Sequence, residues 1–180
     1  ADTLLWTVNE VLDLSRIEAG QMAMEDIAFE LRAPVAEVLA LTRAAARDKG
    51  LTLSAEIAPE LPPWVMGDPG RLRQVILNLV DNALKFTRAG GVVIALAARS
   101  GRLEVSVSDT GAGIPPALRR RLFRRFQQAD AGTARRHGGS GLGLMNCRQL
   151  LRLMGGSIGV ESTPGEGSVF RFDLPLRPAE

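Results

Sequence analysis

The chain has 180 residues, 46% of them apolar, with 22 lysines and arginines against 20 aspartates and glutamates, so its formal charge at pH 7 is only +2. That length and apolar share argue against a disordered chain and for one globular unit with an appendage, and so small a net charge gives no ground for a polyanion binder. The single cysteine, Cys147, excludes an internal disulfide and fits a reducing compartment, while no apolar run reaches the roughly 20 residues that cross a bilayer.

In chain order, Leu4, Leu5, Val8, Val11, Leu12 and Ile17 recur at three- and four-residue steps, predicting an amphipathic helix from Thr3 to Glu18 that Ala19-Gly20 stops. Its apolar stripe has no obvious neighbour in the sequence, so it is expected to pair with a helix outside this chain or with another chain. A second helix is expected from Pro34 to Lys49, closed by Gly50, and LTLSAEI, Leu51 to Ile57, alternates like a strand. Pro59 to Gly70 reads as a turn-rich connector, in which Asp68-Pro69 starts a third helix running to about Phe86. GVVIALAA and RLEVSVSD, joined by the turn signal Ser100-Gly101, predict an antiparallel strand pair that ends at Asp109. Pro115 to Gln128 reads as a helix, Ala129 to Gly139 as irregular and polar, and Leu142 to Met154 as another helix. SIGVES and SVFRFDLP then form two strands around the turn from Thr163 to Gly167. Helices interleaved with strand pairs predict an α+β two-layer sandwich, one helical layer against one mixed, mostly antiparallel sheet.

Three stretches carry chemistry. At 100° per residue, the helix RLRQVILNLVDNALKFT places Leu72, Val75, Ile76, Leu79 and Ala83 on one side and Arg71, Gln74, Asn78, Asn82 and Lys85 on the other. A polar stripe is ordinarily a solvated face. Asparagine suits that job poorly, costing about 0.5 kcal/mol in mid-helix relative to better helix formers. Its neutral amide oxygen can instead ligate a hard cation such as Mg²⁺ beside phosphates, with lysine supplying countercharge.

DTGAGIP, Asp109 to Pro115, stands where an alternating strand ends; Gly111 and Gly113 let the backbone turn beneath a ligand, and Asp109 can accept hydrogen bonds from an exocyclic amine. As an isolated motif, Asp-Thr-Gly is also a common turn. HGGSGLGL, His137 to Leu144, precedes an apolar helix and suits anion binding through backbone N–H groups. It is not a P-loop, because Leu144 stands where lysine is required, and its glycines do not fit G-x-G-x-x-G. A glycine hinge for a mobile lid fits the same residues.

Together these residues resemble the catalytic, ATP-binding domain of sensor histidine kinases, within the superfamily of gyrase-type, chaperone-type and mismatch-repair ATPases. NLVDNALKFT, Asn78 to Thr87, resembles the N box; Asp109 to Pro115 the first glycine box; Leu122 to Gln127 the F box; Gly139 to Leu144 the second glycine box; and TPGEGSVF, Thr163 to Phe170, the closing motif. Five motifs in this order are far more specific than any one. The resemblance implies the Bergerat-type ATP-binding fold over 21–180, preceded at 1–20 by the last helix of a dimerisation and phosphotransfer domain. It implies ATP and Mg²⁺ as ligands, with Asn82 holding the metal and Asn78 and Lys85 near the phosphates. Asp109 would accept the adenine amino group, Gly113 would line the base pocket, and Gly111 and Ile114 would also contact the nucleotide. Gly139, Ser140, Gly141, Leu142, Gly143 and Leu144 would bind phosphates, Ser168 would border the nucleotide, and Arg135, in a lid from Ala129 to Gly138, would reach the γ-phosphate.

Hydrolytic members of the superfamily resemble one another in carrying a glutamate base where this chain has Asn78, so transfer to a protein histidine is expected over hydrolysis. A stand-alone ATPase and a degenerate nucleotide-sensing module are the alternatives. The implied partners are the kinase's own phosphotransfer domain, a response regulator or receiver domain, and a second copy in a homodimer, in a cytoplasmic setting whose parent protein can be membrane-anchored. Two departures stand out. No acceptor-histidine motif is present, and His137 occupies a lid position where relatives often have an aromatic residue, so packing rather than phosphorylation is its expected role. RRRLFRRF, Arg119 to Phe126, is unusually basic; a solvated helix face is expected, ahead of an acidic docking partner and of nucleic acid, for which stacking aromatics are lacking.

Overall fold

In a computed structural model, residues 2–123 and 143–180 of the chain are described. In chain order their elements are α1 (Asp2–Glu18), β1 (Ile27–Glu30), α2 (Arg32–Asp48), β2 (Thr52–Ile57), β3 (Trp64–Gly67) and α3 (Pro69–Phe86). There follow β4 (Gly91–Arg99), β5 (Arg102–Asp109), α4 (Pro116–Arg119), α5 (Gly143–Leu153), β6 (Ser157–Thr163) and β7 (Gly167–Pro175).

Five strands form one sheet in the order β2-β4-β5-β7-β6, parallel between β2 and β4 and antiparallel elsewhere. Strict alternation makes the sheet one-sided: Val92, Ile94 and Leu96 on β4, Leu103, Val105 and Val107 on β5, and Phe170, Phe172 and Leu174 on β7 are all buried. α3 covers β4 and β5, α5 covers β6 and β7, and α2 lies beside α3 and β2. The expected α+β sandwich, one helical layer on one mixed sheet, is therefore the observed architecture.

Three local differences have physical causes. First, the segment read as a pure connector contains β3, which pairs antiparallel with β1 from Ile27↔Gly67 to Glu30↔Trp64 in a separate two-stranded sheet. The segment after β7 joins them: Met66 N–H donates to Arg177 O at 2.8 Å, Ala179 N–H to Trp64 O at 2.9 Å, and Arg177 pairs bidentately with Asp26. Strands of four residues have too short a period to register as alternation; their partners, distant in sequence, create them.

Second, α1 docks on its own chain as well as offering a free face. Leu14 is 1% exposed, α1 lies against α5, and Asp13 accepts a hydrogen bond from Gln74 of α3 at 3.0 Å, whereas Leu5, Val8, Val11 and Leu12 remain exposed. Third, the helix expected from Pro115 to Gln128 ends at Arg119 within the described residues. Beyond it the backbone bonds become three-residue turns, Arg121 N–H to Leu118 O and Leu122 N–H to Arg119 O, as Leu122 turns inward and Phe123 meets Phe170 edge-on at 6.5 Å.

Candidate functional site

α3 is one wall of the site, and its ends are fastened. Asp68 caps it, accepting the Arg71 N–H at 3.0 Å with Pro69 in the first turn, while the second carboxylate oxygen accepts the Glu25 N–H at 3.0 Å. At the far end the Thr87 hydroxyl donates to Ala83 O at 2.6 Å, and the Lys49 ammonium donates to the carbonyls of Leu84 and Lys85. Leu72, Val75, Ile76, Leu79 and Ala83 are buried, as the helical period requires.

The polar stripe of α3 divides between two tasks. Arg71 and Gln74 face α1, where Arg71 lies 3.8 Å from the Asp13 carboxylate and donates to Gln74 Oε1 at 2.9 Å. Asn78 is only 5% exposed, which rules out a solvated face there, and its Nδ2 lies 3.6 Å from Cys147 Sγ on α5. Asn82 is half-buried and Lys85 exposed, one turn further along. Asp81, overlooked in the sequence, is also half-buried; burial pushes its carboxyl up, against the lowering influence of Lys85.

The second wall is the end of the sheet. Asp109 continues the inward face of Leu103, Val105 and Val107, and stands opposite Ser168 of β7, which stands opposite Ser162 of β6. One rung inward, the same ladder reads Val107, Phe170, Val160. The apolar face thus closes in a polar rung, Asp109-Ser168-Ser162, at the edge of the helical layer. Burial pushes the Asp109 carboxyl above its ordinary value, only partly opposed by the N–H groups of Gly111 and Ser168; the Gly111 bond is 2.9 Å.

The glycine turn joins the two walls. A Cβ on Gly111 would lie 2.5 Å from Phe86 O at the end of α3, and one on Gly113, whose φ is +74°, would lie 2.3 Å from Thr163 O in the β6–β7 hairpin. No other residue permits both close approaches. Ile114 N–H donates to Ser162 Oγ at 2.7 Å, and Gly165 N–H to Ala112 O at 2.7 Å, pinning the turn to the hairpin. Asn78, Asn82, Asp109, Gly111, Gly113, Ile114 and Ser168 thus belong to contiguous elements. Gly143 and Leu144 open α5, with Leu144 packed on the core. Arg135, Gly139, Ser140, Gly141 and Leu142, with His137 and the expected lid, lie outside the described residues.

Among the described residues no group of three or more His, Cys, Asp or Glu clusters to hold a metal unaided. A cation beside Asn78 and Asn82 would need most of its oxygens from a ligand, as Mg²⁺ on nucleotide phosphates has them. The donor set fits: neutral amide oxygens, a nearby lysine, and a carboxylate set apart at the sheet end.

Residues 67–178 match the family model of histidine kinase-, DNA gyrase B- and HSP90-like ATPases. The chain is 46% identical over 181 residues to the signal transduction histidine-protein kinase BarA of Escherichia coli (strain K12), covering 98% of this chain and 20% of that protein. It is 44% identical over 184 residues to the sensor protein GacS of Pseudomonas syringae pv. syringae, covering 99% of this chain and 20% of that one. The chain therefore spans about a fifth of the length of these relatives. Among solved structures it superposes on full-length ShkA in complex with AMPPNP with a TM-score of 0.89 at 37% identity, over 99% of this chain and 37% of that one. It superposes on the catalytic domain of the histidine kinase ThkA with a TM-score of 0.73 at 31% identity, over 84% of this chain and 96% of that one.

Proposed function

The chain belongs to the histidine kinase-, DNA gyrase B- and HSP90-like ATPase family, and from that premise we propose that it is the ATP-binding catalytic module of a two-component sensor histidine kinase. Residues 21–180 are the catalytic domain, and 1–20 the last helix of a dimerisation and phosphotransfer domain. The observation that carries this reading is the meeting of a half-buried Asp109 carboxylate, in a polar rung at the sheet end, with the glycine turn beneath the last turn of a helix that presents Asn78 and Asn82.

In this reading Asp109 accepts the adenine amino group while Gly111 to Ile114 pass beneath the base. Asn82 holds Mg²⁺ through its amide oxygen, and Asn78 and Lys85 stand by the phosphates. A bound Mg²⁺ supplies charge neutralisation to the β- and γ-phosphates. Gly139 to Leu144 supply backbone N–H groups to the phosphates and Arg135 a guanidinium to the γ-phosphate, roles that rest on sequence resemblance. Asn78 carries an amide that cannot take a proton from water, which favours transfer of the phosphoryl group to a neutral imidazole over hydrolysis. The acceptor is a histidine of the kinase's own phosphotransfer domain, in a homodimer, and the onward partner is a response regulator or receiver domain in the cytoplasm. No helix among the described residues is long and apolar enough to cross a membrane.

Titration calorimetry tests the site: Asn82→Ala weakens Mg-ATP more than metal-free ATP, and Asp109→Asn weakens both. Unchanged affinity in both variants overturns the assignment. Transfer is read with γ-labelled ATP: a longer chain of the same kinase that includes its acceptor helix becomes labelled on histidine, while His137 does not. Fast phosphate release by the 180-residue chain would instead favour hydrolysis.

A further inference from the structure

The Ser162 hydroxyl sits at the centre of three contacts at the sheet end. It accepts the Ile114 N–H at 2.7 Å, donates to Gly167 O at 3.0 Å, and lies 2.8 Å from Ser168 Oγ. A hydroxyl has one hydrogen and two lone pairs. With its hydrogen on the buried Gly167 and one lone pair taken by Ile114, Ser162 has only a lone pair left to offer its neighbour. The Ser168 hydrogen therefore points at Ser162, and both Ser168 lone pairs are turned away from it. Ser168 is itself only 6% exposed and stands directly opposite Asp109.

We propose that Ser162 is a specificity-determining positioning residue of the nucleotide site: by consuming the Ser168 hydrogen it makes Ser168 an obligatory acceptor beside the Asp109 carboxylate, and by holding Ile114 it fixes the glycine turn under the base. Two acceptors side by side welcome the 6-amino group of adenine and repel the 6-oxo group of hypoxanthine or guanine, because an acceptor facing an acceptor is left buried and unpaired. Ser162 need not touch the nucleotide to do this. The inference rests on the nucleotide-site reading above and adds to it the residue that sets base preference.

The test compares ATP with inosine triphosphate, which differ at the 6-position, by calorimetry on the 180-residue chain with thermal unfolding recorded for each variant. Ser162→Ala frees the Ser168 hydrogen to face a 6-oxo group, so the ATP-to-ITP affinity ratio falls about five- to tenfold, the worth of one hydrogen bond. Ser162→Thr keeps the hydroxyl and the ratio. If Ser162→Ala melts below the assay temperature, Ser162→Cys supplies the same comparison, since a thiol fills the space but is a weak donor and acceptor. A ratio unchanged in Ser162→Ala or Ser162→Cys, whether both affinities stay constant or fall in parallel with the melting temperature, overturns the proposal and leaves Ser162 a structural brace. A wild-type chain that binds neither triphosphate would overturn the nucleotide-site reading itself. Loss of ATP binding in Asp109→Asn with an unchanged ratio in the Ser162 variants would overturn only the role of Ser162.

Discussion

Asp13 and Gln74, 61 residues apart in the chain, are joined by a 3.0 Å hydrogen bond that commits one member of the α3 polar stripe to α1. Arg71 completes the junction from 3.8 Å. The face that looks uniform on a helical wheel is thus partitioned, its first half gripping α1 and its second half, from Asn78 onward, facing the site.

Asp13→Ala should release α1 without unfolding the domain. With side chains 25% and 18% exposed on the Arg71 and Asp13 sides, the junction is worth about 1 kcal/mol or less. Amide exchange across α1 should quicken while that of α3 and β5 stays unchanged; equal acceleration throughout would show that α1 is integral to the core.

Gly113→Ala should abolish nucleotide binding and lower stability. A left-handed residue with a Cβ costs about 1–2 kcal/mol before any clash, and here the Cβ would meet Thr163 O at 2.3 Å. The turn must therefore separate from the β6–β7 hairpin. Wild-type affinity in this variant, measured by calorimetry, would contradict the close approach.

Asp68→Ala should cost about 1–2 kcal/mol in chemical denaturation, because one side chain both caps α3 and holds the Glu25 N–H. Asp68→Asn keeps an oxygen for one of the two donors and should recover about half. A loss no greater than that of an exposed aspartate would mean that the cap contributes nothing.

Asp109 should trade stability against binding. Burial raises its carboxyl above 3.8 in the folded chain, so the protonated form favours folding; that contribution is fully present below the unfolded value and is lost as pH rises through the folded one. At neutral pH the ionised carboxylate is thus a cost to the fold, and Asp109→Asn should melt no lower than wild type. ATP affinity runs the other way, falling in the wild type as pH drops through the raised value and staying flat in Asp109→Asn. A wild-type affinity independent of pH across the acidic range would remove Asp109 from the base edge.

The large elements were legible because their periods are long. Eighteen residues of α3 carry a clear 3.6 repeat, and β5 alternates from Leu103 through Val107 up to Asp109, which is why the helix and the strand end at Asp109 were legible from sequence alone. Ser162 escaped notice although it obeys the same rule on β6: its importance comes from two cross-strand partners, and register between strands is not written in either one. β1 and β3 were invisible for a similar reason, and α4 was overextended because the arginines after Arg119 favour helix locally while Leu122 and Phe123 are drawn to the core. Propensity gave way to burial.

The small sheet of β1 and β3, with the strap after β7 laid against it, lies by Leu103 and Leu174, at the end of β5 and β7 opposite Asp109 and Ser168. The segment before β1 and the segment after β7 are therefore clasped together by Asp26 and Arg177, at the end of the sheet away from the polar rung. β5 alone spans about 23 Å, so a tilt of about 10° about the clasp corresponds to about 4 Å at the polar rung. Movement of the polar rung relative to α1 would have to part Asp13 from Arg71 and Gln74 and also draw Leu14 out of its buried seat against α5.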